Sequence, residues 1–357
     1  MSFTFTAVKK YDKGFAEKAW AHLDTKCMPP RAMGKLERAA VKIACIQQSL
    51  KPDVGIPAVL IGAGDHGVLA QKVSFAPKST SWQHSINMVN GGGVAGLFSR
   101  KYGMKFTLCD VGVDHDFSPA DGVVDCKVAY GTKDFTQSPA MTMEQCLKAM
   151  EHGRDQVAKL AQEGCKAVIF GEMGIGNTTP ASALTMAILK QPVEVCVGSG
   201  TGMGANALLN KQRVVKKAVE ANAGWKDGYE LMARLGGFEL AFIAGGMLEA
   251  AGRGMVILLD GFIVTASALV ADMIDSSVRD YMIACHVSKE PGHGLQLEYL
   301  GLEPLLSMEM CLGEASGAIM AWPMISAALS IFNEVNSFDE GHLDNAADAI
   351  NDAKNSD

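Results

Sequence analysis

The stretch that decides the fold runs from Ala167 to Thr179 and reads AVIFGEMGIGNTT. Its first four residues are apolar and predict a short buried strand, and residues 181–187 predict a helix. A glycine-rich turn from a strand into a helix exposes backbone N–H groups, which suit an anion such as phosphate. Glu172 lies inside this turn. A carboxylate beside a phosphate cradle indicates chemistry on a phosphorylated small molecule.

Short apolar runs of the same kind recur along the chain and alternate with amphipathic segments. They predict strands at residues 58–61, 106–109, 168–170, 193–197, 256–259 and 282–285. Because these runs are almost continuously apolar, they favour an α/β fold, a parallel sheet with helices on both faces. Ligands bind beyond the carboxyl ends of such strands, so the polar loops that follow them are expected to converge on one crevice.

Composition limits the classes of function. The chain has 357 residues, of which 48% are hydrophobic and 20% charged, as expected for a globular protein of one or two domains. Its net charge of −7 argues against a nucleic-acid partner and against a membrane partner. The nine cysteines are scattered and form no Cys-x-x-Cys pair, which indicates free thiols in the cytoplasm and argues against zinc. The first residues predict no signal peptide.

Residues 62–67 match the Gly-x-Gly-x-x-Gly fingerprint of dinucleotide-binding proteins, but their context disagrees. Residues 68–77 have a loop-like order, and a convincing helix begins only near Ser79, which predicts an N-cap. No strand ends in an acid about twenty residues further on, as ribose recognition requires. A structural explanation, in which Asp65 and His66 hold the loop, is therefore favoured over a dinucleotide site.

A third glycine-rich turn, at residues 198–202, is followed by Lys211 on a predicted helix. This turn is either a tight connection or a second phosphate contact, to which the lysine would add a point charge. The turns at 62–67 and 198–202 both lack the Gly-Lys-Ser/Thr ending of a nucleoside-triphosphate site.

Glu314 is a single acid in the otherwise small and apolar segment 310–320. Burial of a carboxylate is costly and makes it more basic, as a general base requires. The alternative is an acid at a helix start, which the helix dipole stabilises. His286 and His293 lie in the last polar loop without metal-binding spacing, so we interpret them as hydrogen-bonding groups.

A series of motifs in a fixed order now points to one family. The motifs lie at residues 64–68, 110–113, 171–179, 200–202, 235–239, 259–262, 290–293, 300–305 and 312–317. In these motifs the chain resembles the nicotinate-nucleotide:5,6-dimethylbenzimidazole phosphoribosyltransferases, which make the lower-ligand nucleotide of cobamides. The resemblance implies a Rossmann-like catalytic domain at 51–320 and a small helical domain from both chain ends, 1–50 and 321–357. It also implies a dimer, with itself or with a diverged paralogue, and no cofactor or metal.

The resemblance further implies a reaction and the residues that carry it out. An aromatic base, 5,6-dimethylbenzimidazole or an analogue, attacks the ribose of nicotinate mononucleotide, nicotinate leaves, and an α-ribotide forms. Glu314 matches the general base of the family, and Glu172 matches a second acid near the ribose. The positions that match nucleotide contacts are Gly174, Gly176, Asn177, Thr178, Gly200, Thr201, Gly202, Lys211, Ser288 and Gly292. The positions that match the pocket for the aromatic base are Ser74, Gln83 and Leu312.

The chain departs from the family pattern at Ala76, Ser199, Val287 and Gly294. Ala76 stands where the family usually has tyrosine, and Ser199 and Gly294 stand where it usually has arginine. These changes alter the base pocket and the surroundings of the anion, so the accepting base stays open among benzimidazoles, adenine and phenols. Two alternatives follow: a relative that activates phenol or p-cresol, and a non-catalytic subunit that pairs with an active paralogue.

Overall fold

The structure is a computed structural model that describes residues 4–10, 12, 14–198 and 204–344. The chain divides into two compact units. Unit 1 comprises Met1–Lys9 and Gly55–Met320, and unit 2 comprises Lys10–Val54 and Ala321–Asp357. The domain boundaries proposed at residues 50 and 320 stay a prediction.

A parallel sheet forms the centre of unit 1. Its strands are β1 (Ala58–Gly64), β2 (Phe106–Gly112), β3 (Val124–Asp125), β4 (Ala167–Met173), β5 (Val256–Leu259) and β6 (Met282–Ala284). All six pair in parallel, in the order β3-β2-β1-β4-β5-β6. A second, two-stranded sheet pairs β7 (His286–Val287) with β8 (Leu306–Ser307). The predicted α/β fold is confirmed.

The helices alternate with these strands along the chain. They are α1 (Phe15–Asp24), α2 (Lys35–Gln47), α3 (Thr80–Val89), α4 (Val94–Lys101), α5 (Met143–Gln162), α6 (Thr178–Leu189), α7 (Val193–Cys196), α8 (Ala205–Ala221), α9 (Gly228–Leu235), α10 (Phe238–Gly252), α11 (Phe262–Ile274), α12 (Pro291–Leu300) and α13 (Ser316–Glu334). Helix α3 follows Ser79 directly, as the sequence predicts.

One predicted strand is wrong, because residues 193–197 begin with the short helix α7. Val193 and Cys196 are buried while Val195 is 39% exposed, and burial at positions three apart is the spacing of a helix face, not of a strand. Pro192 stands at the N-cap, so a helix can begin directly after it. The edge strand β3 lies outside the predicted set, because a strand of two residues leaves no periodic signal.

The core of unit 1 depends on a close contact between α5 and α10. A Cβ atom at Gly153 of α5 would lie 1.9 Å from the backbone oxygen of Phe242, and one at Gly245 of α10 would lie 2.2 Å from that of Met150. Only glycine allows the two backbones to approach this closely. Helix α10 also packs on β1, β2, β4 and β5 and thereby holds the centre of the sheet.

Unit 2 has its own apolar core. Leu23 of α1, Ala40 and Ala44 of α2, and Phe332 of α13 are buried in one cluster. The ring of His22 lies 3.0 Å from the backbone oxygen of Phe332, which adds a polar contact at the edge of this cluster.

Within the part of the chain that the structure describes, one helix is long and apolar enough to cross a membrane. This helix is α13, with 19 residues and a mean hydropathy of 1.2, and half of it is buried inside the protein. A core helix of a soluble protein has the same length and composition, so α13 is weak evidence for a membrane span.

The topology fixes the place of the site. From β1 the chain adds β2 and β3 on one side, and β4 to β6 continue on the other, so the strand order switches between β1 and β4. Ligands of parallel α/β sheets bind at such a switch point, beyond the carboxyl ends of the strands. Glu172 lies there, in register with Gly62 of β1.

Candidate active site

A cavity of about 170 Å³ lies beyond the carboxyl ends of β4 and β5. Four carboxylates line it: Glu172 at the end of β4, Asp260 directly after β5, Glu290 directly before α12, and Glu314 in the loop before α13. The other predicted site residues in its lining are Gly174, Asn177, Thr178, Ser288 and Leu312. Asp260 is outside the predicted set, although its place directly after an apolar strand is the signal that such sites give.

Glu172 is buried and held on both oxygens. Its Oε1 accepts a hydrogen bond from the backbone N–H of Glu314 at 3.3 Å, and its Oε2 accepts one from the side chain of Asn177. Burial raises the pKa of Glu172 well above its ordinary value, the charges of Asp260 and Glu314 add to this, and the hydrogen bond from Asn177 opposes it. The group therefore binds a proton readily when the cavity holds no positive charge.

The loop that carries Glu314 is pressed against Glu172. A Cβ atom at Gly313 would lie 2.0 Å from Oε1 of Glu172, so a side chain there would displace this carboxylate and the backbone N–H of Glu314 that is bonded to it. Glu314 and Ala315 have φ angles of 64° and 65°, in the left-handed region that costs energy for residues other than glycine. Such strain at a carboxylate in a cavity is typical of a functional site.

We expect the substitution Gly313→Ala to displace Glu314 and lower kcat by roughly tenfold or more, while overpacking costs about 1–3 kcal/mol of stability. The matched control is Gly294→Ala in α12, where a Cβ atom meets nothing within 4 Å. The control should keep its activity and gain up to about 1 kcal/mol, because alanine is the better helix former. Steady-state kinetics and urea unfolding of both variants measure these effects. Equal kcat values in the two variants would contradict the prediction.

The carboxylate of Glu314 has two different oxygens. Its Oε1 lies 2.7 Å from Nε2 of His84 on α3. Its Oε2 is buried and has no hydrogen-bond partner among the residues that the structure describes. A buried carboxylate oxygen without a partner is free to accept a proton from a ligand in the cavity.

The start of α6 and the side chain of Lys211 form a corner that suits a phosphate. Lys211, on α8, is 1% exposed, and its Nζ donates to Oγ1 of Thr178, the first residue of α6, at 2.8 Å. Burial lowers the pKa of Lys211 to about 8, and the charge of Glu290 partly opposes this. An ammonium group and a helix N-terminus that share one hydroxyl group provide charge and N–H donors for an anion.

Comparisons with known proteins show which family the chain belongs to. A family model described as a phosphoribosyltransferase matches residues 8–343. The nicotinate-nucleotide–dimethylbenzimidazole phosphoribosyltransferase of Dechloromonas aromatica (strain RCB) is 42% identical over 331 residues, which cover 92% of this chain and 95% of that protein. CobT from Thermus thermophilus, a crystal structure, matches with a TM-score of 0.90 at 39% identity and covers 93% of this chain and 99% of its own. This chain belongs to the nicotinate-nucleotide–dimethylbenzimidazole phosphoribosyltransferase family. It is a phosphoribosyltransferase.

The loop after β7 is held in place by the buried ring of His293. Ser288 lines the cavity, and its backbone N–H donates to Nδ1 of His293 at 2.9 Å. Nε2 of His293 therefore carries the hydrogen of the neutral ring and donates to Oγ1 of Thr265 at 3.1 Å. Burial lowers the pKa of His293 to about 3, and the nearby His286 adds to this, so the ring stays neutral as a hydrogen-bonding group.

Gly292 and Gly176 lie in close contact with neighbouring side chains beside the cavity. A Cβ atom at Gly292 would lie 2.8 Å from the ring of Phe262, which lines the cavity. Gly176 has a φ angle of 90°, and a Cβ atom there would lie 2.7 Å from the side chain of Leu69. These glycines do not line the cavity themselves. Gly200, Thr201 and Gly202, with Ser199, lie outside the residues that the structure describes.

The positions matched to the base pocket are only partly brought together. Leu312 lines the cavity and is 45% exposed. Ser74 lies in the loop before α3, where its Oγ accepts a hydrogen bond from the backbone N–H of Ala76 at 3.3 Å. Gln83 is exposed on α3. Neither Ser74 nor Gln83 lines the cavity, whereas the neighbouring His84 reaches Glu314, so their role in binding a base stays a prediction.

The Gly-x-Gly-x-x-Gly segment has a structural role. A 3₁₀-helix, Gly67–Gln71, follows it instead of an α-helix. Gly64 gives room to α10, because a Cβ atom there would lie 2.9 Å from Oε2 of Glu239. Glu239 forms a fully buried pair with His66 at 2.8 Å, and this carboxylate raises the pKa of His66 although burial acts to lower it. These contacts support the structural interpretation of the loop.

Asp65 links this loop to the cavity. Its Oδ1 accepts a hydrogen bond from Oγ of Ser81 on α3 at 2.6 Å, and the same Oγ accepts one from the backbone N–H of Ile175 at 3.1 Å. Ile175 belongs to the cavity lining. Asp65 thus fixes the position of α3 relative to the turn before α6.

Proposed function

We propose that this protein transfers the 5-phosphoribosyl group of nicotinate mononucleotide to an aromatic base, 5,6-dimethylbenzimidazole or an analogue, and releases nicotinate. The product is an α-ribotide that serves cobamide synthesis. One observation carries the proposal: a single cavity is lined by Glu314, whose buried Oε2 has no partner within the described ranges, and by Thr178, which is bonded to Lys211. A proton acceptor and an anion corner in one cavity are what this transfer needs.

In the proposed reaction one ring nitrogen of the base attacks C1′ of the ribose with its lone pair. The bond from C1′ to the nicotinate nitrogen breaks, and its electron pair returns to the nicotinate ring. The N–H proton of the attacking ring passes to Oε2 of Glu314. Because the leaving nitrogen is already quaternary, it needs no acid, and neither a metal nor a cofactor enters the proposal. Attack from the face opposite to the leaving group inverts the β-configuration to α.

We assign most of the rate enhancement to the positioning of the two substrates. The enzyme must hold two flat rings on opposite faces of one ribose, and such orientation is worth up to about 7–11 kcal/mol. Proton removal by one carboxylate contributes roughly a hundred- to ten-thousandfold. We further propose that Glu172 faces the ribose, where the positive charge of the nicotinate ring favours its ionised form.

The decisive assay offers the protein nicotinate mononucleotide with benzimidazoles, adenine, phenol and p-cresol in turn. Chromatography with mass detection should show an α-ribotide and an equal amount of released nicotinate. A phenolic ribotide alone would favour the phenol-activating alternative, for which Ala76 in the loop before α3 is the motivating residue. Absence of product with every acceptor, alone and with a paralogue, would refute the proposal.

The subunit arrangement is part of the proposal. We expect a soluble, cytoplasmic dimer, formed with a second copy or with a diverged paralogue. Because Glu172 and Glu314 both line the cavity of this chain, we favour a catalytic subunit over a non-catalytic one. Light scattering of the purified chain tests the dimer, and activity that arises only on mixing with a paralogue would favour the heterodimer.

A further inference from the structure

His84 gives Glu314 a partner that the transfer reaction does not itself require. The two side chains come from α3 and from the loop before α13, and they meet at 2.7 Å between Nε2 and Oε1. The His84 side chain is 27% exposed and that of Glu314 is 11% exposed. The imidazole is therefore more exposed to solvent than the carboxylate that it contacts.

The contacts of the ring fix which atom donates. Nδ1 of His84 lies 3.4 Å from Nδ2 of Asn87, one turn further along α3. An amide nitrogen only donates, so Nδ1 accepts in the neutral ring and Nε2 carries the hydrogen. Nε2 donates to Oε1 of Glu314 in the neutral and in the protonated ring alike. In both states the remaining oxygen, Oε2, is the one without a partner among the described residues.

Glu314 is the titratable group that dominates the surroundings of this ring. The hydrogen bond to Glu314 raises the pKa of His84, and partial burial opposes this. Helix α4, packed against α3, brings a glycine to the ring: a Cβ atom at Gly93 would lie 3.4 Å from Cε1. The acids at the ends of β1 and β2 have other partners. Asp65 accepts hydrogen bonds from the hydroxyl group of Ser81 and from the backbone N–H of Asp114. Asp110 accepts a hydrogen bond from the backbone N–H of Val113 and forms an ion pair with Lys127. His115, in the loop after β2, stacks on Trp82, and Glu172 and Asp260 line the cavity on the far side of the Glu314 carboxylate.

We propose that His84 is a positioning residue of the transfer: its Nε2 binds Oε1 of Glu314 and thereby leaves Oε2 to take the proton of the acceptor ring. The inference rests on the proposed function. The N–H bond of the acceptor breaks and an O–H bond forms at Oε2. The acceptor is then a ring that carries an ionisable N–H or O–H, since a ring without one has no proton to give.

The test compares His84→Met, which removes the donor and the charge, with His84→Gln, whose amide N–H can still donate to Oε1. Loss of one charge-assisted hydrogen bond should lower kcat of His84→Met by about tenfold, with KM for the nucleotide unchanged. The acid limb of the pH profile of kcat should be displaced, because His84, whose pKa the hydrogen bond to Glu314 raises, no longer contributes to it. His84→Gln should recover most of kcat but keep the displaced acid limb. His152→Met on α5, a half-buried histidine outside the cavity lining, is the control and should match the wild type.

Two results would overturn the proposal. One is a His84→Met variant with the kcat and acid limb of the wild type. The other is a loss of kcat that glutamine does not recover and that leaves the acid limb in place, which indicates a structural role alone.

A second measurement separates this inference from the proposed function. Nitrogen-15 NMR of the imidazoles, without substrates, should show that His84 of the wild type titrates at a higher pH than His84 of Glu314→Gln, because the hydrogen bond to Glu314 raises its pKa. Identical titration in the two proteins would refute the contact, whether or not any base accepts ribose. A shifted titration in a protein that transfers ribose to no base would refute the proposed function and leave the pair intact.

Discussion

Replacing Glu314 by glutamine is expected to lower kcat by roughly a hundred- to ten-thousandfold, the range of a lost general base. Glutamine keeps the size of the side chain and an oxygen for the hydrogen bond from His84, but its amide cannot take the proton of the acceptor ring. KM for nicotinate mononucleotide should change by less than about threefold, because a loss confined to the transition state leaves ground-state binding in place. Initial rates at saturating base measure both constants.

The control for this variant is Glu309→Gln. Glu309 lies in the loop before α13, as Glu314 does, and its side chain is exposed. Its substitution therefore removes the same charge without reaching the cavity. It should retain the activity of the wild type. If Glu314→Gln lost kcat and nucleotide affinity in equal measure, the side chain would serve binding and not proton removal.

Replacing Lys211 by methionine is expected to separate nucleotide binding from stability. The substitution removes the cation beside Thr178, so the dissociation constant for nicotinate mononucleotide should rise by roughly ten- to hundredfold, the value of a charged hydrogen bond. Titration calorimetry measures this change. Lys216→Met, an exposed lysine on the same helix, should bind the nucleotide as the wild type does.

The same variant should not be less stable than the wild type. Burial lowers the pKa of Lys211 to about 8 from an ordinary value of 10.5, so the folded protein binds its proton less tightly than the unfolded chain does. The burial penalty is fully present below pH 8 and disappears as the pH rises toward 10.5. Methionine removes this penalty, so Lys211→Met should gain stability relative to the wild type at pH 7 and lose that gain by about pH 10. Urea unfolding at the two pH values measures it, and a variant that is less stable at pH 7 would refute it.

The sequence was sufficient for the parts of the site that follow strand ends. Apolar runs predicted β4 and β5, and the topology of a parallel sheet then requires the residues after them to meet at one crevice, as Thr178 after β4 and Asp260 after β5 do. Glu314 could be singled out because a lone acid among apolar residues needs a reason. These inferences use local pattern and one general rule of sheet topology.

Other parts depend on contacts that no local pattern records. His84 is one histidine on an amphipathic helix, and its importance comes from a partner 230 positions away. Residues 193–197 have the composition of a strand, but the burial of Val193 and Cys196 makes them a helix. The glycines at 62–67 copy a dinucleotide fingerprint, and only distant contacts show why they are small: α10 approaches Gly62 and Gly64, and the backbone at residues 132–134 approaches Gly67.

The four acids around the cavity, Glu172, Asp260, Glu290 and Glu314, have a consequence for the direction of the reaction. In the substrate the pyridine ring is a cation, and its positive charge relieves the crowding of these acids. Once the bond to C1′ breaks, the ring is neutral and the departing molecule is a net anion, so the acids no longer attract the ring and offer no partner to its carboxylate. We therefore expect nicotinate to escape readily and to inhibit far less than nicotinamide, which has the same shape without the negative charge.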